Sequence, residues 1–447
     1  MIAHMAEHKR CGIFGRMGSG KTGAVLHGLS SIDALDEAPA LILGPKRVAG
    51  KTWPDEARKW EGTSHIDISP IVGSESQRLK ALGKDRAFYS TNYEQIPWLV
   101  DHFGKDWPFK TVVADESTRT KGFRLRGGGR RMMSLGRVAH RYTDRWINLT
   151  GTPSPKGIKD LWGQMWFIDG GKRLGTSYTA FTDRWFRPSP SGFGIVPFDF
   201  AQAEIEKLIG DICLTIDPAD YLDIDKVIET DIVVDMPAQA RAKYTEMEKQ
   251  MYTEIEQAYV THEIEAVNAG VKVGKCLQMA GGAVYTDPVT HDWVELHKSK
   301  LEALDSIIEE HNGAPIIVAY QFIHERERIL RHIKGARHFD ANPETEDAWN
   351  RGDIPVLVTH PESAGHGSNL QQGGNILVDY SSGWGAEGDQ QIIERIGPMR
   401  QFQSSLDRPV FRYRIMMEKS IDYLVKARRE RDVSVQEILL EALKRRQ

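Results

Sequence analysis

Gly15-Arg16-Met17-Gly18-Ser19-Gly20-Lys21-Thr22 fits the spacing GxxxxGK[ST] at every fixed position. An apolar run at residues 11–14 precedes it and reads as a strand, and a helix-compatible run at 23–29 follows. Strand, glycine-rich loop and helix together let backbone N–H groups turn inward around phosphate oxygens, while the helix N-terminus adds partial positive charge. Gly15, Gly18, Ser19 and Gly20 would shape such a cradle. Lys21 would reach the β- and γ-phosphates, and the Thr22 hydroxyl would ligate Mg²⁺. A plain glycine-rich turn with an exposed lysine is the bland alternative, and the flanks on both sides argue against it.

A chain of 447 residues exceeds one ordinary core and predicts two or three domains. Its composition is that of a soluble globular protein. No apolar run approaches membrane-spanning length, and the N-terminal segment does not read as a signal peptide. Cys11, Cys213 and Cys276 are widely spaced without a CxxC pair, which predicts a reducing, cytoplasmic setting and no disulfide framework. The net charge of −4 does not announce a nucleic-acid partner. Local charge does: residues 119–145 hold nine Arg or Lys, among them Lys121, Arg124, Arg126, Arg130 and Arg131, against the single acid Asp144. Such a run is either a solvated loop or a surface for phosphates.

Short apolar strands at 41–43, 87–89, 111–114 and 146–149 alternate with helical segments, the pattern of a parallel α/β sheet. Ligands of such sheets gather at the C-terminal strand ends, and each charged or hydroxyl motif falls at one. Residues 170–200 look irregular. Acids thicken around 216–228, where Asp217-Pro218 breaks the pattern, so domains are expected at 1–225 and 226–447. A long polar helix is predicted over 238–266. A second alternating set follows, with strands at 315–320, 354–359, 375–380 and 410–415 and helices at 298–310 and 324–333, but without a second P-loop. An amphipathic helix is expected at 433–446.

Asp115-Glu116 follows the strand at 111–114 at a distance suited to a Walker B acid pair: Asp115 to hold Mg²⁺ through water, Glu116 to polarise the attacking water. The alternative is an acid pair that caps the next helix. With Ser117-Thr118 and Lys121, this stretch resembles motif II of superfamily 2 helicases of the Swi/Snf type, and Leu149-Thr150-Gly151-Thr152-Pro153 resembles motif III. The continuation through Asp160-Leu161-Trp162 and residues 170–175 is similar to phage-encoded members of that family. Residues 43–48 resemble motif Ia and 91–94 motif Ib; 315–321, 360–371, and Gln391 with Arg395, Arg400 and Gln401 resemble motifs IV, V and VI.

The resemblance implies two RecA-like parallel-sheet lobes with helical insertions, and an ATP hydrolase that uses Mg²⁺ and is stimulated by DNA, duplex or branched. It implies a monomeric translocase or helicase in the host cytoplasm, with phage replication or recombination proteins as further partners and no membrane. Lys21, Glu116, Gln391, Arg395 and Arg400 carry hydrolysis in this reading, with Gly367 at the nucleotide. An arginine delivered from a second lobe neutralises charge on the transferred phosphoryl group. Lys46, Arg47, Asn92, Tyr93, Lys121 and Thr152 are the lobe-one candidates for DNA contacts; Gly365, Ser368 and Asn369 are those of lobe two. Tyr93 has packing as its alternative. Two departures stand out. No Gln precedes Gly15, where family members carry an adenine-reading glutamine motif, and Arg395 and Arg400 lie five residues apart across Gly397-Pro398. A packaging-type motor ATPase would need clustered carboxylates in the second half, where the motif V and VI series stands instead. A nucleotide-gated DNA-binding scaffold with little turnover is the third reading, against which the intact Glu116 argues.

Overall fold

The computed structural model describes residues 1–15, 19–32, 38–151, 153–154, 157–189, 195–216, 226–261, 266–287, 289–340, 342–364, 368–384, 387–406 and 408–431. The chain divides into two compact units, Met1–Asp223 and Ile224–Gln447.

The first unit contains β1 (Arg10–Gly15), β2 (Ala40–Gly44), β3 (Ile68–Pro70), β4 (Phe88–Asn92), β5 (Thr111–Asp115), β6 (Arg145–Thr150), β7 (Phe186–Pro188), β8 (Ile195–Pro197) and β9 (Cys213–Ile216). Seven of these form one parallel sheet in the order β3-β4-β2-β5-β6-β1-β9. Helices cover both faces, so the central strands are short continuous apolar runs rather than alternating ones. Successive side chains still point to opposite faces. Leu41, Leu43, Val112 and Trp146 pack into one core with Phe123, Trp162 and Phe167, whereas Ile42, Val113 and Ile147 pack into another with Val25, Leu26 and Trp53.

The second unit contains β10 (Ile228–Val234), β11 (Ala283–Tyr285), β12 (Trp293–Glu295), β13 (Ile316–Ala319), β14 (Ala336–His338), β15 (Val356–Thr359), β16 (Ile376–Asp379) and β17 (Phe411–Met417). Six form a parallel sheet in the order β10-β17-β16-β13-β15-β14. Ile316 and Val318 face one core, Ile317 and Ala319 the other. The α/β class with two parallel-sheet lobes is therefore what the chain adopts.

Several elements differ from expectation. The helix expected over 238–266 is present as Ala238–Thr261, and a further helix, Ala266–Ala280, follows it unpredicted. Residues 170–200 hold the helix Tyr178–Trp185, with Ser177 as its N-cap, and the β7–β8 hairpin. The basic run is not one loop: it includes the helix Arg130–Ala139 and ends inside β6. β10 escaped prediction because its alternate residues are acids. Glu229 and Asp231 lie in register with Arg412 and Arg414 of β17, and the Asp231–Arg414 ion pair closes at 2.7 Å. The tail at 433–446 lies outside the described residues. Among those described, no helix is long and apolar enough to cross a membrane.

Candidate functional site

Sheet order brings three motifs to one edge. β6 lies between β5 and β1, with Asp115 in register with Leu149 and Phe14 with Thr150. The ends of β1, β5 and β6 therefore stand side by side at the C-terminal edge, where the strands stop pairing and backbone groups become available. β2 and β4 continue the row, with Gly44 opposite Asn92.

At the end of β1 the chain enters the glycine-rich loop. Gly20 precedes the helix Lys21–Ser31 with φ of 78°, the left-handed conformation that suits glycine. A Cβ on Gly15 would stand 2.7 Å from Ser19 Oγ, so the two residues close on each other without room for a side chain. Ser19 Oγ is buried and, among the described residues, has no hydrogen-bond partner. A buried hydroxyl left over beside the start of an eleven-residue helix fits an anionic oxygen. The Lys21 ammonium donates to the Gly15 carbonyl. Thr22 occupies the first helical turn. These residues would hold a nucleotide's phosphates, and Thr22 with Asp115 would hold Mg²⁺, which supplies charge neutralisation on the phosphoryl oxygens. Gly18 lies outside the described residues.

At the end of β5 the Asp115 carboxylate is oriented from two sides. Trp53 Nε1 donates to Oδ2 at 2.8 Å and the Glu116 N–H donates to Oδ1 at 3.0 Å. The Tyr93 hydroxyl donates to the Asp115 carbonyl at 2.9 Å. Glu116 has φ of 54°, a left-handed conformation that is uncommon away from glycine and concentrates at functional sites. It precedes the turn Ser117–Thr120 without capping it through its side chain.

Behind this edge runs a buried polar chain that sequence reading missed. Trp146 Nε1 donates to Asn148 Oδ1 at 2.8 Å, and Asn148 Nδ2 donates to the Gln164 carbonyl at 2.9 Å. Gln164 Oε1 accepts from Ser117 Oγ at 2.8 Å; its Nε2 donates to the Asp160 carbonyl at 3.0 Å and to the Pro153 carbonyl. The available signal was a lone amide in the apolar helix Leu161–Asp169.

The candidate nucleic-acid residues divide. Lys46 is exposed at the end of β2, and Arg47 beside it is half-buried. Tyr93 is 1 % exposed and belongs to the core, so the expected DNA contact is corrected: its ring packs and its hydroxyl serves Asp115. Asn92 is likewise buried and donates to Glu94 at 2.7 Å. Lys121 pairs with Asp160 at 3.6 Å. Arg124 donates to the Lys121 and Phe123 carbonyls, and its guanidinium lies 3.4 Å from the Tyr178 ring centroid, so it braces the fold. Arg126, Arg130 and Arg131 are exposed; Arg130 and Arg131 reach Asp101 at 3.7 Å and Glu94 at 3.1 Å. Arg145, at the end of the run, is buried and donates to the Met5 carbonyl. Thr152 lies outside the described residues.

In the second unit Gln391 and Arg395 share the helix Glu387–Ile396. Gly397 then caps the helix Pro398–Gln403, with proline at its start, so the five-residue spacing is a break between two helices. Arg395 is buried and Arg400 half-buried. Gln401 Nε2 donates to the Gln371, Gly374 and Ile396 carbonyls, binding the segment after β15 to this helix pair. Ser368 is fully buried, which removes it from direct backbone contact, whereas Asn369 is exposed. Gly365 and Gly367 lie outside the described residues. A cavity of about 340 Å³ is lined by Glu229, Arg412, Arg414 and Lys426. Gln390 and Ile393 line it too, so the cavity lies in the second unit between the ion-paired β10–β17 ladder and the helix that carries Gln391 and Arg395.

No family model matches the chain. Solved structures to which it is similar include the Sulfolobus solfataricus SWI2/SNF2 ATPase core in complex with dsDNA, 20% identical, covering 95% of this chain and 88% of that chain with a TM-score of 0.44. The SWI2/SNF2 ATPase core domain of the same organism is also 20% identical, covering 95% of this chain and 86% of that chain at a TM-score of 0.42. "Putative protein p41" of Acyrthosiphon pisum secondary endosymbiont phage 1 is 46% identical over 453 residues, covering 100% of this chain and 97% of that protein. The chain belongs to the family of that phage protein.

Proposed function

We propose that the chain is an ATP hydrolase stimulated by DNA, acting as a superfamily 2 translocase on duplex or branched DNA. The observation that carries this reading is the shared sheet edge. The P-loop, the Asp115-Glu116 pair and the Thr150 segment lie at the ends of three adjacent strands, with the Ser19 hydroxyl at the loop buried and without a hydrogen-bond partner among the described residues. Lys21 and Ser19 engage the phosphates, Thr22 and Asp115 the Mg²⁺, and Glu116 orients the attacking water. Gln391, Arg395 and Arg400 are the second unit's contribution to hydrolysis. Lys46, Arg47, Arg126, Arg130 and Arg131 offer cationic, sequence-blind contact to phosphates, as a translocating protein requires.

The test is ATP turnover measured alone and with single-stranded, duplex and forked DNA and with RNA, followed by strand- and triplex-displacement assays. Lys21→Ala should abolish turnover while DNA binding at low salt persists. Unchanged turnover in that variant, or a wild-type chain indifferent to every nucleic acid, overturns the proposal.

A further inference from the structure

We propose that Gln164 is a positioning residue that ties the turn after Asp115-Glu116 to the segment after β6, and that stimulation of hydrolysis by DNA passes through it. The inference rests on the function proposed above.

Gln164 is fully buried in a helix whose other inward residues, Leu161, Met165 and Ile168, are apolar. An amide in such a place is costly unless its groups are satisfied, and a leucine of similar size would avoid the cost. The amide therefore contributes through what it connects. Its oxygen takes the hydroxyl of Ser117, two residues beyond Asp115. Its nitrogen gives to the carbonyl of Pro153, three residues beyond the end of β6. Pro153 has no N–H, so that carbonyl is its one main-chain handle.

Two further contacts make the helix and the turn a single piece. A Cβ on Gly163 would stand 2.6 Å from the Thr120 carbonyl oxygen and 2.8 Å from that of Lys121, so the helix lies directly on the turn's main chain. Lys121 and Asp160 pair across the same junction. A pull on the segment around Pro153 is thus transmitted through one amide to Ser117, whose neighbour is Glu116. Hydrogen bonds fix direction as well as distance, which an apolar contact does not.

Four variants test this, with thermal midpoint and ATP affinity measured alongside turnover in the presence and absence of duplex DNA. Gln164→Glu keeps the acceptor but, when ionised, loses the donor. The ratio of stimulated to unstimulated turnover should fall about tenfold near pH 8, the scale of one lost buried hydrogen bond. It should partly return toward about pH 6, because a buried carboxyl protonates early and can then donate to Pro153. The wild type should show no such return, and Ser117→Ala, which buries no charge, separates lost coupling from the simple relief of a buried carboxylate on acidification. Ser117→Ala should lower the same ratio with ATP affinity retained, and Ser117→Ala with Gln164→Leu should be no worse than Gln164→Leu alone. Should Gln164→Leu fail to fold, Gln164→Glu and Ser117→Ala carry the test. A stimulated wild type beside a Gln164→Glu variant with the same ratio overturns this inference alone. So does a loss equal at both pH values and shared by unstimulated turnover. A wild type without DNA-stimulated turnover overturns the proposed function with it.

Discussion

Gly163→Ala probes the junction between the helix Leu161–Asp169 and the turn Ser117–Thr120 with a single methyl group. The added carbon would meet two main-chain oxygens, at 2.6 and 2.8 Å, neither of which belongs to a flexible side chain. Reaching ordinary contact requires the helix and turn to separate by roughly 0.8 Å, and overpacking of this kind costs about 1–3 kcal/mol. Alanine regains about 1 kcal/mol as the better helix former, leaving a net effect between about zero and a loss of about 2 kcal/mol. For a unit of this size each kcal/mol lowers the thermal midpoint by about 2–4 °C. Gly274→Ala is the matched control: it lies in the helix Ala266–Ala280 with, among the described residues, nothing within 4 Å of its would-be Cβ, so it should stabilise by up to about 1 kcal/mol. Differential scanning calorimetry of both variants separates the cases. If Gly163→Ala raises the midpoint as Gly274→Ala does, the helix does not lie on the turn and the reasoning fails.

Tyr93→Phe should cost about 1 kcal/mol through the lost bond to the Asp115 carbonyl while leaving DNA affinity and its salt dependence unchanged; a weakened DNA affinity at equal stability would return Tyr93 to the binding surface. The triple variant Arg126→Ala, Arg130→Ala, Arg131→Ala should flatten the slope of log affinity against log salt for duplex DNA by up to about three, since exposed ion pairs such as Arg131–Glu94 are weak enough to yield to phosphates. An unchanged slope in a filter-binding or anisotropy titration would make that surface idle. Burial pushes His297 down to about 4 and His324 down to about 3, so the folded chain keeps neutral what the unfolded chain protonates near pH 6.5. Their contribution is full above about pH 6.5 and is lost as pH falls toward these values, so denaturation of the second unit should ease on acidification. His324→Phe should flatten that acid limb in pH-dependent urea titrations. Burial raises the Glu325 carboxyl, which works in the opposite sense: its stabilising share is lost as pH rises, and Glu325→Gln should remove that loss.

What could be read from the chain alone follows from where the information lies. The P-loop is contiguous, so its eight residues announce a phosphate cradle without any knowledge of the sheet. The central strands at 41–43 and 315–320 were legible because burial on both faces demands unbroken apolar runs. β10 was not, because Glu229 and Asp231 look like a solvated stretch until Arg412 and Arg414 are set opposite them in register. Tyr93 and Asn92 sit in a stretch that reads as a surface motif, yet they are buried by the fold: Tyr93 bonds Asp115 on β5, and Asn92 lies in register with Gly44 of β2. Gln164 showed locally only as a lone amide in an apolar helix, and its meaning lies in residues 117, 148 and 153 on other segments.

The sheet order itself explains why a side-chain tie is needed at all. β6 is bonded to β5 on one side and to β1 on the other, so within the ladder the three strands shift together or not at all. That rigidity ends with the last paired residues, near Asp115, Thr150 and Phe14. Beyond them lie Glu116 and Pro153, which are outside the ladder's register pairs. If nucleic acid influences hydrolysis as proposed above, moving the sheet contributes little and linking the ends beyond it contributes much. Lys121–Asp160 provides one such link at 3.6 Å, but partly in solvent, where an ion pair is worth little and yields readily. The Ser117–Gln164–Pro153 connection is directional and runs through a fully buried amide, although its Pro153 end is only partly buried, and breaking it strands that amide. Of the two, only the buried amide resists being pulled apart strongly enough to carry a displacement from one loop to the other.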